Sequence, residues 1–252
     1  MNKFSDYFDD VIILNLLSNK EKRKNMDWQM KELDQSVSNY RFHNSVIFPH
    51  NNVIMDSFNN RRNEYQFRKP NEIGCAMEHY RIVKESYESG KNSILVMEDD
   101  LRILKDFSVI DEYLKDIPSD YDILMMSSYI GITGVKDIDI VNHKDSRKIN
   151  EHWFIPFWPG WCCAMIAMNR RGMKYILDEQ EKLFRVADYP VYDIIAKQKK
   201  DINLYFSTTP LAIQADLFYT SDIRTRNEIE YKRQWNLYEN RINDLDYFDL
   251  KN

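Results

Sequence analysis

A layered α/β fold built on a mostly parallel sheet is predicted by two features of the chain. Short apolar runs recur at residues 11–16, 93–97, 121–127, 161–168 and 203–206, and helix-patterned segments separate them. The run at 93–97 shows no polar alternation, as a strand buried on both faces requires. A length of 252 residues with 43% hydrophobic side chains is enough for one large α/β core.

The elements follow in order. Val11-Ile12-Ile13-Leu14-Asn15-Leu16 reads as the first strand, and Ser18 as the N-cap of a helix through Leu33. Residues 40–48 alternate and predict a second strand, ended by Pro49. Residues 50–69 are polar, rich in Asn and Arg, and are expected to form a loop or flap. Pro70-Asn71-Glu72 opens a long helix that Gly90 closes. After the strand at 93–97, residues 106–116 read as a helix, Pro118 breaks the chain, and 121–127 form a further strand. Residues 131–150 read as an irregular connection. The segment 153–168 is aromatic and apolar around a Pro159-Gly160 turn, and its second half, 161–168, is the expected strand. Helices are expected at 169–184 and 188–200, a short strand at 203–206, and a charged amphipathic helix at 227–247. No internal repeat or linker divides the chain. The expectation is one domain over residues 1–226 with a helical appendage over 227–252.

The net charge of −5 gives no support for nucleic-acid binding, which usually needs a basic face. Cys75, Cys162 and Cys163 make no disulfide framework and show no CxxC spacing; they read as reduced thiols of a cytoplasmic protein. The first ten residues are too acidic for a signal peptide, and no stretch reaches the roughly 20 apolar residues that span a bilayer. Membrane contact is therefore expected to be peripheral at most, at the inner face.

The chemistry is concentrated where Ser93-Ile94-Leu95-Val96-Met97 runs into Glu98-Asp99-Asp100. Carboxylates crowded at the exit of a buried strand repel one another unless a cation sits among them. Along an extended chain Glu98 and Asp100 point one way and Asp99 the other, so Glu98 and Asp100 are candidate oxygen ligands for one hard divalent ion. Ligands of open α/β sheets bind outside the carboxyl ends of strands, which suggests a metal receiving a phosphate-bearing substrate. A solvated acidic turn capping the next helix is the competing reading.

Three other segments accompany the acids: Ile13-Leu14-Asn15-Leu16 followed by Lys22-Arg23-Lys24, then Asn71-Glu72-Ile73-Gly74-Cys75-Ala76-Met77-Glu78-His79, and finally Pro210-Leu211-Ala212-Ile213-Gln214 with Ser221-Asp222-Ile223. Together these resemble glycosyltransferase family 25, the lipopolysaccharide and collagen galactosyltransferase-like group, from Val11 to Ile223. Glu78 departs from that pattern, in which a Ser precedes the His, and the late acidic segment is blurred into Ala187-Asp188-Tyr189-Pro190-Val191-Tyr192-Asp193.

The resemblance implies a GT-A-like fold and an inverting, metal-dependent hexosyltransferase. Such an enzyme carries galactose, with glucose as runner-up, from a UDP-sugar to a glycan or glycolipid acceptor such as lipooligosaccharide, using Mn2+ or Mg2+. Under it, Glu98 and Asp100 hold the ion, and Asp99 meets the ion through water or meets a ribose hydroxyl. Asp188, with Asp193 second, takes the proton of the attacking hydroxyl. Asp188 equally suits an N-cap. Asn15 reads the uracil or a ribose hydroxyl, or only forms a turn. Arg23 meets the diphosphate, or is merely solvated. His79 serves the site, or is a satisfied half-buried side chain. Glu72 suits the dipole at its helix start, Gly74 allows close backbone approach to a ligand, and Gln214 reaches the donor.

Trp153, Phe154, Phe157, Trp158 and Trp161 either line an acceptor pocket or fill the core. Ser221, Asp222, Arg224 and Arg226 either clamp a phosphorylated acceptor or form a surface network. Two other functions compete: a metal-dependent phosphohydrolase or nucleotidyltransferase, and a non-catalytic sugar- or nucleotide-binding protein on a transferase fold. The absence of glycine between Asn15 and Lys24 counts against a nucleotidyltransferase phosphate loop.

Overall fold

The computed structural model describes residues 2–45, 70–127, 141–157, 163–182 and 185–214. The first half holds β1 (Asp10–Leu16), α1 (Lys20–Glu32), β2 (Arg41–Ser45), α2 (Pro70–Glu88), β3 (Ser93–Glu98), β4 (Leu101–Ile103), α3 (Phe107–Lys115) and β5 (Ile123–Met125). Then come β6 (Arg147–Lys148), β7 (Trp153–Ile155), β8 (Met165–Asn169), α4 (Arg170–Lys182), α5 (Tyr189–Ala196), β9 (Leu204–Ser207) and β10 (Ala212–Gln214).

Eight strands form one sheet in the order β2-β1-β3-β8-β5-β9-β7-β6, and β10 pairs with β4 in a second, small sheet. In the large sheet β2, β1, β3, β5, β9 and β6 share one direction; β8 and β7 run against them. The sheet is thus mixed, mostly parallel and flanked by helices, as expected.

Strand alternation divides the apolar side chains between two cores. Val11, Ile13, Leu95 and Met97 face one side, where α1 supplies Met26 and Met30 and α3 supplies Phe107 and Ile110. Ile12, Leu14, Ile94 and Val96 face the other, against Ile82 and Val83 of α2, Met173 and Ile176 of α4, and Val191 and Ile194 of α5. Each fully buried aliphatic side chain contributes about 1.5–3 kcal/mol of transfer free energy. The same alternation carries as far as Glu98, where β3 ends.

Two local devices hold this frame. Gln29 of α1 is buried and acts on β4 as a neighbouring strand would. Its Nε2 donates to the Leu101 carbonyl at 2.9 Å and its Oε1 accepts from the Ile103 amide at 2.8 Å. Gly172 lets α4 lie against the start of β5: a Cβ there would meet the carbonyl oxygen of Asp122, its carbonyl carbon at 2.9 Å and Ile123 Cγ1 at 3.0 Å. Gly172→Ala is therefore expected to cost about 1–3 kcal/mol, the range for forced overpacking. An unchanged urea midpoint would show that helix and strand separate freely.

Several boundaries differ from expectation. The cap of α1 is Asn19 rather than Ser18, with its side chain accepting from the Lys22 amide at 3.3 Å. β2 occupies Arg41–Ser45; residues 46–48 of the expected strand, the expected flap at 50–69 and the appendage at 227–252 lie outside the described residues. β8 begins at Met165, and α5 ends at Ala196 rather than at residue 200. The strands β4, β6, β7 and β10 were not anticipated; each has two or three residues, too few for a period to show.

Candidate functional site

The carboxyl ends of β1 and β3 lie side by side, with Leu14 in register with Glu98. Beyond that pair the chain offers Asn15 and Leu16 on one strand and the acids on the other. Asp99 falls on the α1 side of the sheet. Its Oδ2 accepts from Asn15 Nδ2 at 2.6 Å and from the Leu16 amide at 3.3 Å. The Asn19 cap starts α1 so that Lys22 turns back over this end of β1. Lys22 is 3% exposed, with its Nζ 3.6 Å from Asp99 Oδ1 and 3.7 Å from Asp100 Oδ2. One ammonium between two carboxylates leaves the trio net negative. Burial raises the Asp99 carboxyl above its usual range; Lys22, Asn15 and the Leu16 amide oppose that rise, and Glu98 adds to it.

Glu98 faces the opposite side, toward α2. Its Oε1 lies 3.0 Å from His79 Nε2 and accepts from Cys75 Sγ at 3.9 Å, and its Oε2 accepts from Gln214 Nε2 at 3.3 Å. Cys75 and His79 stand one turn apart on one helix face. Gln214 arrives because β10 pairs antiparallel with β4, which opposes it to Leu101 beside the acidic turn. The Cys75 thiol is pushed well above its usual range by burial, then by Glu98, Asp188, Asp100 and Asp99 in that order. Asp188 therefore belongs to the electrostatic neighbourhood of the strand end, although it enters from α5. It holds the N-cap position of α5, and its side chain makes no capping hydrogen bond.

The expected pairing of Glu98 with Asp100 on one side is corrected by this geometry. β3 ends at Glu98, and the turn at Asp99-Asp100 swings Asp100 to Lys22 beside Asp99. Period-two alternation holds only while the backbone stays extended.

The remaining candidates separate clearly. Arg23 lies against β2, its Nη1 donating to Asn44 Oδ1 at 2.8 Å and its guanidinium 3.9 Å from the centroid of the Phe42 ring. Asp193 is 2% exposed and sits 3.2 Å from Arg185 Nη1 and 2.7 Å from Lys197 Nζ, which makes it the ionic anchor of α5. Glu72 and Gly74 precede Cys75 at the start of α2. Glu78 faces away from Glu98: its Oε2 is 2.6 Å from Nε2 of the buried His43, and its Oε1 accepts from Arg81 at 3.4 Å. Of the aromatic segment, Trp153 and Phe154 are core residues with no exposed surface. The Trp153 indole donates to the Tyr113 carbonyl at 3.0 Å. Trp158, Trp161, Ser221, Asp222, Arg224 and Arg226 lie outside the described residues.

Two residues gain a place that sequence reasoning did not give them. Lys22 was only one basic residue in a Lys-Arg-Lys run; without the Asn19 cap nothing says which of the three turns inward. Cys75 reads from the sequence only as a reduced thiol, and its spacing of four from His79 is the available signal.

The family model for glycosyltransferase family 25 (LPS biosynthesis protein) matches residues 8–148, which include β1, α2 and the acidic strand end. The chain belongs to this family, and is therefore a glycosyltransferase-family protein acting between a sugar donor and a glycan acceptor. No curated protein sequence matches it.

Similar solved structures include mouse xyloside xylosyltransferase 1 in its apo form, 8% identical with a TM-score of 0.38, covering 78% of this chain and 71% of that one. The apo glycosyltransferase GlyE of Streptococcus pneumoniae TIGR4 is 10% identical with a TM-score of 0.42, covering 96% of this chain and 65% of that one. The galactosyltransferase LgtC in complex with donor and acceptor sugar analogs is 9% identical with a TM-score of 0.42, covering 96% and 98%. Among the described residues no helix is long and apolar enough to cross a membrane.

Proposed function

We propose that the protein is an inverting hexosyltransferase that moves galactose from UDP-galactose to a cell-surface glycan such as lipooligosaccharide, acting at the inner face of the membrane. The observation that carries this reading is the run of Glu98, Asp99 and Asp100 at the carboxyl end of β3, with the charge of Asp188 felt at the same Cys75 thiol as theirs. A UDP-sugar needs its departing diphosphate neutralised and its attacking hydroxyl deprotonated. A negative cluster at the carboxyl end of parallel strands suits the first need, and a separate carboxylate suits the second.

The donor set fits a divalent cation. Its groups are mainly hard carboxylate oxygens, and Lys22 balances only part of the charge it faces. Asp99 and Asp100, on the Lys22 side, would hold Mn2+ or Mg2+, which would supply Lewis-acid stabilisation of the leaving diphosphate. Asn15 holds the Asp99 carboxylate in place through a 2.6 Å hydrogen bond and so orients it toward ion or ribose. His79 and Gln214 fix the two oxygens of Glu98 in the same way. Asp188 accepts the proton of the acceptor hydroxyl as the new glycosidic bond forms and the bond to UDP breaks.

The test mixes purified protein with UDP-galactose, Mn2+ and a lipooligosaccharide acceptor, and follows UDP release together with the anomeric configuration of the product. Release coupled to an inverted linkage is expected. Metal-dependent stabilisation by UDP-galactose without turnover on any glycan would reject the transferase reading, and so would UDP-galactose hydrolysis that no acceptor redirects.

A further inference from the structure

On the α2 side of the acidic strand end, Cys75, His79 and Glu98 bring one thiol, one imidazole nitrogen and one carboxylate oxygen within 4.8 Å of one another. We propose that these three side chains form a binding site for a thiophilic divalent cation of the zinc class, separate in chemistry from the hard-ion cluster on the Lys22 side.

The spacing agrees with that chemistry. Zinc bond lengths of about 2.3 Å to sulfur and 2.0–2.2 Å to nitrogen or oxygen, opened at the tetrahedral angle, put ligand atoms about 3.4–3.6 Å apart. Here Glu98 Oε1 lies 3.9 Å from Cys75 Sγ and 3.0 Å from His79 Nε2, and all three atoms lie within 4.8 Å of one another, so side-chain displacements of up to about one ångström would seat an ion.

The supporting frame is rigid. Two ligands stand one turn apart on a 19-residue helix, and the third ends a strand paired on both sides. Gln214, donating to Glu98 Oε2 at 3.3 Å, leaves Oε1 facing the other two donors and orients the carboxylate, as outer-shell partners of metal ligands do. The charges close as well: a Cys75 thiolate and the Glu98 carboxylate balance a doubly charged ion, and the thiol proton passes to solvent on binding. Cys75 and Glu98 are half-buried rather than sealed. Three protein ligands with a fourth position open define a zinc site accessible to a further oxygen ligand.

Binding here does not depend on the transferase reading. Its consequence for turnover does, because Glu98 also belongs to the cluster assigned there to the donor diphosphate.

The experiment titrates the metal-free full chain with Co2+ and records its absorption. A thiolate-to-cobalt charge-transfer band in the near ultraviolet is expected, with visible bands of a four-coordinate ion, both abolished by an equivalent of Zn2+. Cys75→Ser should remove the charge-transfer band, while Cys163→Ser keeps it. His79→Gln and Glu98→Gln should each weaken cobalt binding at least about tenfold. Asp100→Asn should leave the cobalt spectrum intact, whatever it does to UDP-galactose binding, so failure of the transferase reading would not mimic failure of this one. A wild-type spectrum without a thiolate band, or a band that survives in Cys75→Ser, overturns the site. If Cys75→Ser melts before titration, the His79→Gln spectrum decides alone: unchanged affinity and band position reject the proposal.

Discussion

Asp188→Asn should cut sugar transfer by about two to four orders of magnitude, the contribution of a positioned general base, while leaving UDP-galactose binding within a factor of a few. The substitution keeps size and hydrogen-bonding reach and removes only the ability to take a proton. Asp188 stands at the start of α5 without capping it, so loss of its charge should disturb the helix little. Its field reaches Cys75, hence the strand end where the donor is expected. Asp193, one turn further on, provides the control. It is buried against Arg185 and Lys197, and Asp193→Asn should lower the unfolding midpoint while the folded fraction keeps its turnover. The measurement is single-turnover transfer alongside urea unfolding for both variants. Full activity in Asp188→Asn, or a catalytic collapse in Asp193→Asn at unchanged stability, would move the base to the other carboxylate.

The contrast between these two acids shows what the sequence could and could not reveal. Both lie in one short acidic segment, and local pattern gives no reason to prefer either. What separates them is Lys197, an i,i+4 partner of Asp193, and above all Arg185, whose pairing with Asp193 depends on how α5 closes against the preceding turn. The strand ending in Glu98 was readable because a strand buried on both faces must be apolar throughout and must stop at its first acids. The side each acid takes was readable for Glu98 and for Asp99 opposite it, and failed at Asp100. Asp99 and Asp100 sit in a turn, and a turn's dihedrals are not written in a hydrophobic period. His79 and Gln214 came from family resemblance, and the fold adds that both converge on Glu98. Trp153 and Phe154 show the opposite case, since an aromatic run suits a sugar platform and a core equally until burial is known.

Lys22→Met should destabilise the metal-free protein by about 3 kcal/mol, the lower end for removing one partner of a buried ion pair. The lower end is appropriate because the ammonium stands 3.6–3.7 Å from its carboxylates, longer than a tight charged hydrogen bond. Methionine fills most of the same volume, so the loss reports charge rather than a cavity. With Lys22 gone, Asp99 and Asp100 face each other in a site that is 8% exposed at each residue.

Two consequences follow from the sign of that repulsion. Asp99 already binds its proton more tightly in the folded state than an ordinary carboxyl. Its contribution to stability is therefore greatest at low pH and falls as pH rises from the ordinary carboxylate range through the raised folded value. Removing Lys22 extends that window upward, so the variant should recover part of its loss on acidification toward the ordinary carboxylate range.

A divalent cation should also replace the missing charge, making Mn2+ stabilise Lys22→Met more than it stabilises wild type. Urea midpoints at several pH values, with chelator and with Mn2+, measure both effects. A variant as stable as wild type under chelation, and no more responsive to Mn2+, would mean that the acidic strand end is neutralised by something other than this lysine. The electrostatic argument for a cation-assisted diphosphate site would then lose its structural basis.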